Sequence, residues 1–67
     1  MTAILLNGEP KHISEHSTVL QLVDTLGLAG KRIAVECNQE IVPKPDYATT
    51  RLCEGDVVEI VQAIGGG

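Results

Sequence analysis

Few residues in this chain have types and spacing that could do chemistry, and the most informative are its last three, Gly65-Gly66-Gly67. Three glycines bury no side chain and carry maximal backbone entropy, so they cannot stabilise a fold. One reading is a frayed end or a remnant of expression. The other is a slender tail whose carboxylate enters a narrow channel in another protein, where only glycine lets the backbone approach closely. A carboxylate is a poor electrophile, but attack on ATP would turn it into an acyl-adenylate with a good leaving group. A nucleophile could then take the acyl group. Were that nucleophile sulfide or a persulfide, the product would be a thiocarboxylate. Other candidates are weaker. Cys37 falls at a core position of an expected strand, where a free cysteine acts as a small hydrophobe. Cys53 precedes a turn, and neither a base nor a helix N-terminus beside it would activate the thiol. His12 and His16 straddle a strand and the approach to a helix, and with the two cysteines they lack zinc-finger spacing. The acidic residues are dispersed; Glu36, Glu54 and Glu59 could steer a basic partner. There is no Ser-His-Asp set, no P-loop and no GxGxxG. The chain is therefore expected to be no enzyme itself, and to bind no metal or cofactor.

The elements that must position such a tail come from a short chain. Its 67 residues and 7.1 kDa make one domain. A chain this small buries only roughly 60% of its unfolded surface. Two cysteines are too few for a disulfide scaffold, so a core of Val, Ile and Leu must suffice, and 43% of residues are apolar. The balance of nine acidic to five basic residues gives net charge −4 and a pI of about 4.9. That disfavours nucleic acid, and Tyr47 alone makes no stacking platform. No apolar run approaches a membrane span, and Met1 to Pro10 does not resemble a signal peptide. The expected setting is soluble and cytoplasmic, with reduced cysteines.

Hydrophobic periodicity places the elements. Thr2 to Leu6 is a strand ending in Asn7-Gly8, a type I′ hairpin signal, and Glu9 to Ser14 returns with Pro10 suited to a sheet edge. Thr18 and Gln21 have capping-box spacing. Val19, Leu22, Val23 and Leu26 then form one helical stripe, and Gly27 is placed to end it. Ile33 to Cys37 is a strand, Asn38-Gln39 a turn, and Glu40 to Val42 a short strand stopped by Pro43. Pro43 to Tyr47 is a loop or a single helical turn. After the Glu54-Gly55-Asp56 turn, Asp56 to Ala63 is the last strand. The order β-β-α-β-β-β predicts an α+β domain, a mixed sheet with one helix packed across it. The last strand is expected at its centre, parallel to the first. Residues 1–64 would form the domain and 65–67 a flexible glycine tail.

The last strand also carries a parity signal. If Val58 and Ile60 point to the core, Val57, Glu59 and Val61 point away. Either both faces of this strand are buried, or Val57 and Val61 belong to an exposed apolar patch beside the tail, which reads as a docking surface.

Taken together, these segments resemble a known family. They are Leu6-Asn7-Gly8, Thr18-Val19-x-x-Leu22, Ala34-Val35-Glu36-x-Asn38-Gln39-Glu40-Ile41-Val42-Pro43, Gly55-Asp56-x-Val58-Glu59-Ile60 and the terminal Gly65-Gly66-Gly67. The chain resembles the ubiquitin-like β-grasp sulfur carriers, and among them the ThiS family of thiamin thiazole synthesis. The resemblance implies a β-grasp fold whose last strand presents a partner-binding patch. It implies that an E1-type, ThiF-like enzyme adenylates Gly67 with ATP. A sulfurtransferase or cysteine desulfurase system then makes the thiocarboxylate, and a ThiG-like thiazole synthase consumes its sulfur. Gly65, Gly66, Val57, Glu59 and Val61 would meet partners. Two other readings share the terminal Gly-Gly: the small subunit of a molybdopterin-type synthase and a ubiquitin-like protein modifier.

Overall fold

The computed structural model describes residues 1–62. Five strands and one helix follow in the expected order: β1 (Thr2–Leu6), β2 (Glu9–Ile13), α1 (Val19–Thr25), β3 (Ile33–Cys37), β4 (Glu40–Val42) and β5 (Val57–Gln62), with a single 3₁₀ turn at Lys44–Asp46. The strands form one mixed sheet in the order β2-β1-β5-β3-β4. β5 is central, parallel to β1 and antiparallel to β3, as its apolar content predicts. Pro10 is on the edge strand β2, where its missing N–H does no harm. Both hairpins turn on two residues with positive φ: Asn7 at 50° and Gly8 at 85°, then Asn38 at 52° and Gln39 at 71°. That geometry matches the right-handed twist of the flanking strands.

A helix of only seven residues cannot hold itself in water, so its free N–H groups need partners. Thr18 caps it: the Gln21 N–H donates to Thr18 Oγ1 at 3.2 Å, and the Thr18 N–H donates to Gln21 Oε1 at 2.9 Å. The Val19 and Leu20 N–H groups donate to the carbonyls of Thr50 and Tyr47, both at 2.9 Å. The segment after the 3₁₀ turn thus completes the cap. At the other end Gly27, at φ 75°, donates to Asp24 O while Leu28 donates to Val23 O, a Schellman closure. Thr18→Ala should cost about 1 kcal/mol, read as a lower denaturant midpoint with an unchanged slope.

The core lies between α1 and the inner face of the sheet. Val19, Leu22 and Val23 of the expected stripe pack with Ile4, Ile13 and Val35 and with Val58 and Ile60, the two residues of the last strand expected to face inward. Leu6 and Leu26 are only partly buried at its margin. Val42, Tyr47 and Leu52 join the core without having been expected in it; the long connection from β4 to β5 closes one side. β2 ends at Ile13, one residue short of the expected Ser14, because Ile13 opposite Thr2 already reaches the start of β1.

Candidate functional site

The parity of β5 is resolved. Val58 and Ile60 are buried, whereas Val57 is 41% and Val61 64% exposed, with Glu59 exposed between them. The strand is therefore apolar on both faces but covered on one. Register adds the neighbours. Val57 pairs with Leu5 of β1, Val61 with Ala34 of β3, and Glu59 with Glu36, which in turn pairs with Ile41 of β4. Leu5 is 40% and Ile41 71% exposed. The outer face thus carries Leu5, Val57, Val61, Ala34 and Ile41 across four strands.

Two carboxylates sit inside this apolar face. Glu36 and Glu59 are direct cross-strand partners on the same side of the sheet. Like charges placed this way oppose folding, and a cationic group from another protein would relieve them. Glu54 has a different role: its Oε1 accepts the Ala3 N–H at 2.9 Å, and the next residue, Gly55, donates to Ala3 O at 2.8 Å. It fastens the start of β1 to the turn before β5. Of the three expected steering residues, Glu36 and Glu59 lie on the face and Glu54 serves the sheet.

β5 is also held by two asparagines, each the first residue of a hairpin turn. Asn38 Oδ1 accepts the Val57 N–H at 2.9 Å and its Nδ2 donates to Asp56 Oδ1 at 3.0 Å. Asp56 Oδ2 in turn accepts the Cys53 N–H at 2.8 Å. Farther along the strand, Asn7 Oδ1 accepts the Ile60 N–H at 2.9 Å and its Nδ2 donates to Ile60 O at 3.3 Å. Sequence reasoning identifies both only as turn residues.

The remaining candidates are not brought into one site. Cys37 is half-buried against the core, and burial, then the nearby Asp56 carboxylate, push its thiol pKa up; a thiol held protonated is a poor nucleophile. Cys53 is exposed. His12 lies on β2 and His16 in the turn before α1. Among the described residues no helix is long and apolar enough to cross a membrane. Gly65, Gly66 and Gly67 lie outside the described residues, as does the expected boundary at residue 64. Leu5, Ala34 and Ile41 were missed as members of the outer face. Alternation within each strand could have marked Leu5 as outward, but the register that unites the strands is not written in any one of them.

Comparison with known proteins converges on one group. A family model described as the ThiS family matches residues 4–67. The chain is 40% identical over 63 residues to the sulfur carrier protein ThiS of Bacillus subtilis, covering 92% of this chain and 96% of that protein. It is 45% identical over 64 residues to a thiazole synthase of Paramagnetospirillum magneticum, covering 96% of this chain but 20% of that protein. A second thiazole synthase, from Magnetococcus marinus, is matched in the same way, so the chain spans about a fifth of the length of both. The crystal structure of the ThiS thiamine biosynthesis protein of Geobacter metallireducens superposes with a TM-score of 0.84 at 29% identity, covering 98% of this chain and 100% of that one.

Proposed function

The chain belongs to the ThiS family, and from that premise we propose that it is a sulfur carrier of thiamin biosynthesis, a protein co-substrate acted on by partner enzymes. The carrying observation is the family match through residue 67, joined to an open apolar face on the strand that leads towards Gly65-Gly66-Gly67. In this reading residues 1–64 are the docking body and residues 65–67 deliver the reacting atom. The Gly67 carboxylate oxygen attacks the α-phosphorus of ATP held by a ThiF-like enzyme, and pyrophosphate leaves. A sulfur nucleophile from a sulfurtransferase or cysteine desulfurase then attacks the acyl carbon and AMP leaves. Where the donor is a persulfide the product is an acyl disulfide, and a thiol then attacks its donor-side sulfur, forming a disulfide with the donor and releasing the thiocarboxylate; where it is sulfide the thiocarboxylate forms directly with loss of a proton. A ThiG-like thiazole synthase takes up the sulfur. Support for that last partner comes from the two thiazole synthases that contain a stretch similar to this chain.

Docking is assigned to the outer face. Val57 and Val61 supply apolar contact, and Glu59 with Glu36 attracts basic groups of the partner. ATP is used by the adenylating enzyme, so this chain needs no nucleotide site. The test is ATP–pyrophosphate exchange by the host's adenylating enzyme. Exchange should require this chain and saturate with it; exchange indifferent to it would refute the proposal.

Val61→Asp probes the face separately. The side chain is 64% exposed, so the change should alter stability by no more than about 0.5 kcal/mol. A charge in the middle of a desolvated contact should raise the KM for the carrier roughly tenfold. A fall in melting temperature with an unchanged KM would place Val61 in the fold and not at an interface.

A further inference from the structure

β1 and β5 run parallel for only a short distance, with Leu5 beside Val57 and Leu6 beside Val58. The hairpin at Asn7-Gly8 then turns β1 away. Up to that point backbone groups do the pairing: the Leu5 N–H donates to Asp56 O at 3.0 Å and the Asn7 N–H to Val58 O at 2.9 Å. The next step of the ladder has no β1 peptide to meet it. The Asn7 side chain takes its place, its carboxamide imitating a peptide group against both the N–H and the C=O of Ile60. Asn7 can do this because it sits at φ 50° in the turn, a conformation asparagine tolerates better than most residues. Among the described residues, the hold of β1 on β5 ends at Ile60 and only β3 accompanies Val61 and Gln62.

We propose that Asn7 is a positioning residue: by fastening Ile60 from the β1 side it steadies the end of β5, the strand from which the sequence continues to Gly65-Gly66-Gly67, and so sets how the terminal carboxylate is presented to the adenylating site. The inference rests on the carrier reading. Seven residue-to-residue steps lead from Ile60 to Gly67, a maximum reach of about 23–25 Å at 3.3–3.6 Å each. Without the Asn7 carboxamide the end of β5, from Ile60 to Gln62, is held by β3 alone, so the positions open to the terminal carboxylate spread, while the outer face keeps its cross-strand partners.

Asn7→Gly removes the carboxamide and keeps a residue suited to positive φ, so the hairpin survives. Asn38→Gly is the matched control: it deletes an equivalent pair of side-chain bonds from the other hairpin, at the start of β5. Two measurements decide. Amide exchange of Ile60 should accelerate at least tenfold relative to Val35 in Asn7→Gly and not in Asn38→Gly. In pyrophosphate exchange, Asn7→Gly should lower kcat roughly tenfold with KM unchanged, whereas Asn38→Gly should keep the native kcat. Unaltered Ile60 exchange, or faster exchange with a native kcat, would overturn the proposal, as would an equal fall of kcat in both variants. If the native chain supports no pyrophosphate exchange, the carrier reading itself fails, and the role of Asn7 in presenting the tail falls with it.

Discussion

A chain extended by one residue beyond Gly67 should fold as the native chain does and yet fail to be adenylated. Activation in the proposed mechanism consumes a free carboxylate at a fixed distance from the docking face. One added residue moves that carboxylate by about 3.3–3.6 Å, and removal of Gly67 leaves it short by the same amount. Misplacement of a reacting atom by about 1 Å can cost roughly a hundredfold in rate. Both changes should therefore reduce pyrophosphate exchange by at least about a hundredfold. Gly66→Val should also hinder entry, because its branched Cβ widens a backbone that must pass a narrow channel. The core between α1 and the sheet is assembled among the described residues 1–62, so the thermal transition should move little. Native rates for the extended and shortened chains would reduce the three glycines to a frayed end.

Leu22→Ala should be the most destabilising single truncation on α1. The side chain is 2% exposed and lies in the one stripe by which a seven-residue helix adheres to the sheet. Loss of a buried leucine costs about 2–5 kcal/mol, including the cavity it leaves. Small domains have a total stability of about 5–15 kcal/mol, so urea unfolding should show a large fall in midpoint. Leu20→Ala is the internal comparison. Leu20 is on the same helix but 44% exposed, and its truncation should shift stability by no more than about 0.5 kcal/mol. Equal effects at the two positions would contradict the packing described.

Much of this architecture is legible in the amino-acid sequence, because local rules agree. Asn7-Gly8 demands a I′ hairpin, Thr18 with Gln21 a capping box, and Gly27 a left-handed helix end; each is found. The central place of β5 follows from a strand apolar on both faces. The connection from Tyr47 to Leu52 is opaque for the opposite reason. It has no periodicity, and Tyr47 and Leu52 lie in the core where the backbone is tied to the start of α1, Tyr47 O and Thr50 O accepting from Leu20 and Val19 and the Leu52 N–H donating to Ser17 O. The exposed outer face is half legible. Alternation along β5 places Val57, Glu59 and Val61 outward, but Leu5, Ala34 and Ile41 join them through cross-strand register, a relation between segments far apart in the chain. The dual role of Asn7 is hidden in the same way: a turn residue announces its φ, not the partner of its side chain.

Sulfur carried on the carboxyl group of Gly67 should be visible by intact mass spectrometry of the protein purified from its own host. A species in which one oxygen is replaced by sulfur is expected, with the change confined to Gly67 on fragmentation of the C-terminal peptide. That species should disappear when the adenylating enzyme is deleted. Sulfur found on Cys37 or Cys53 with an unchanged Gly67, or an isopeptide link from Gly67 to lysines of other proteins in its place, would contradict the carrier reading.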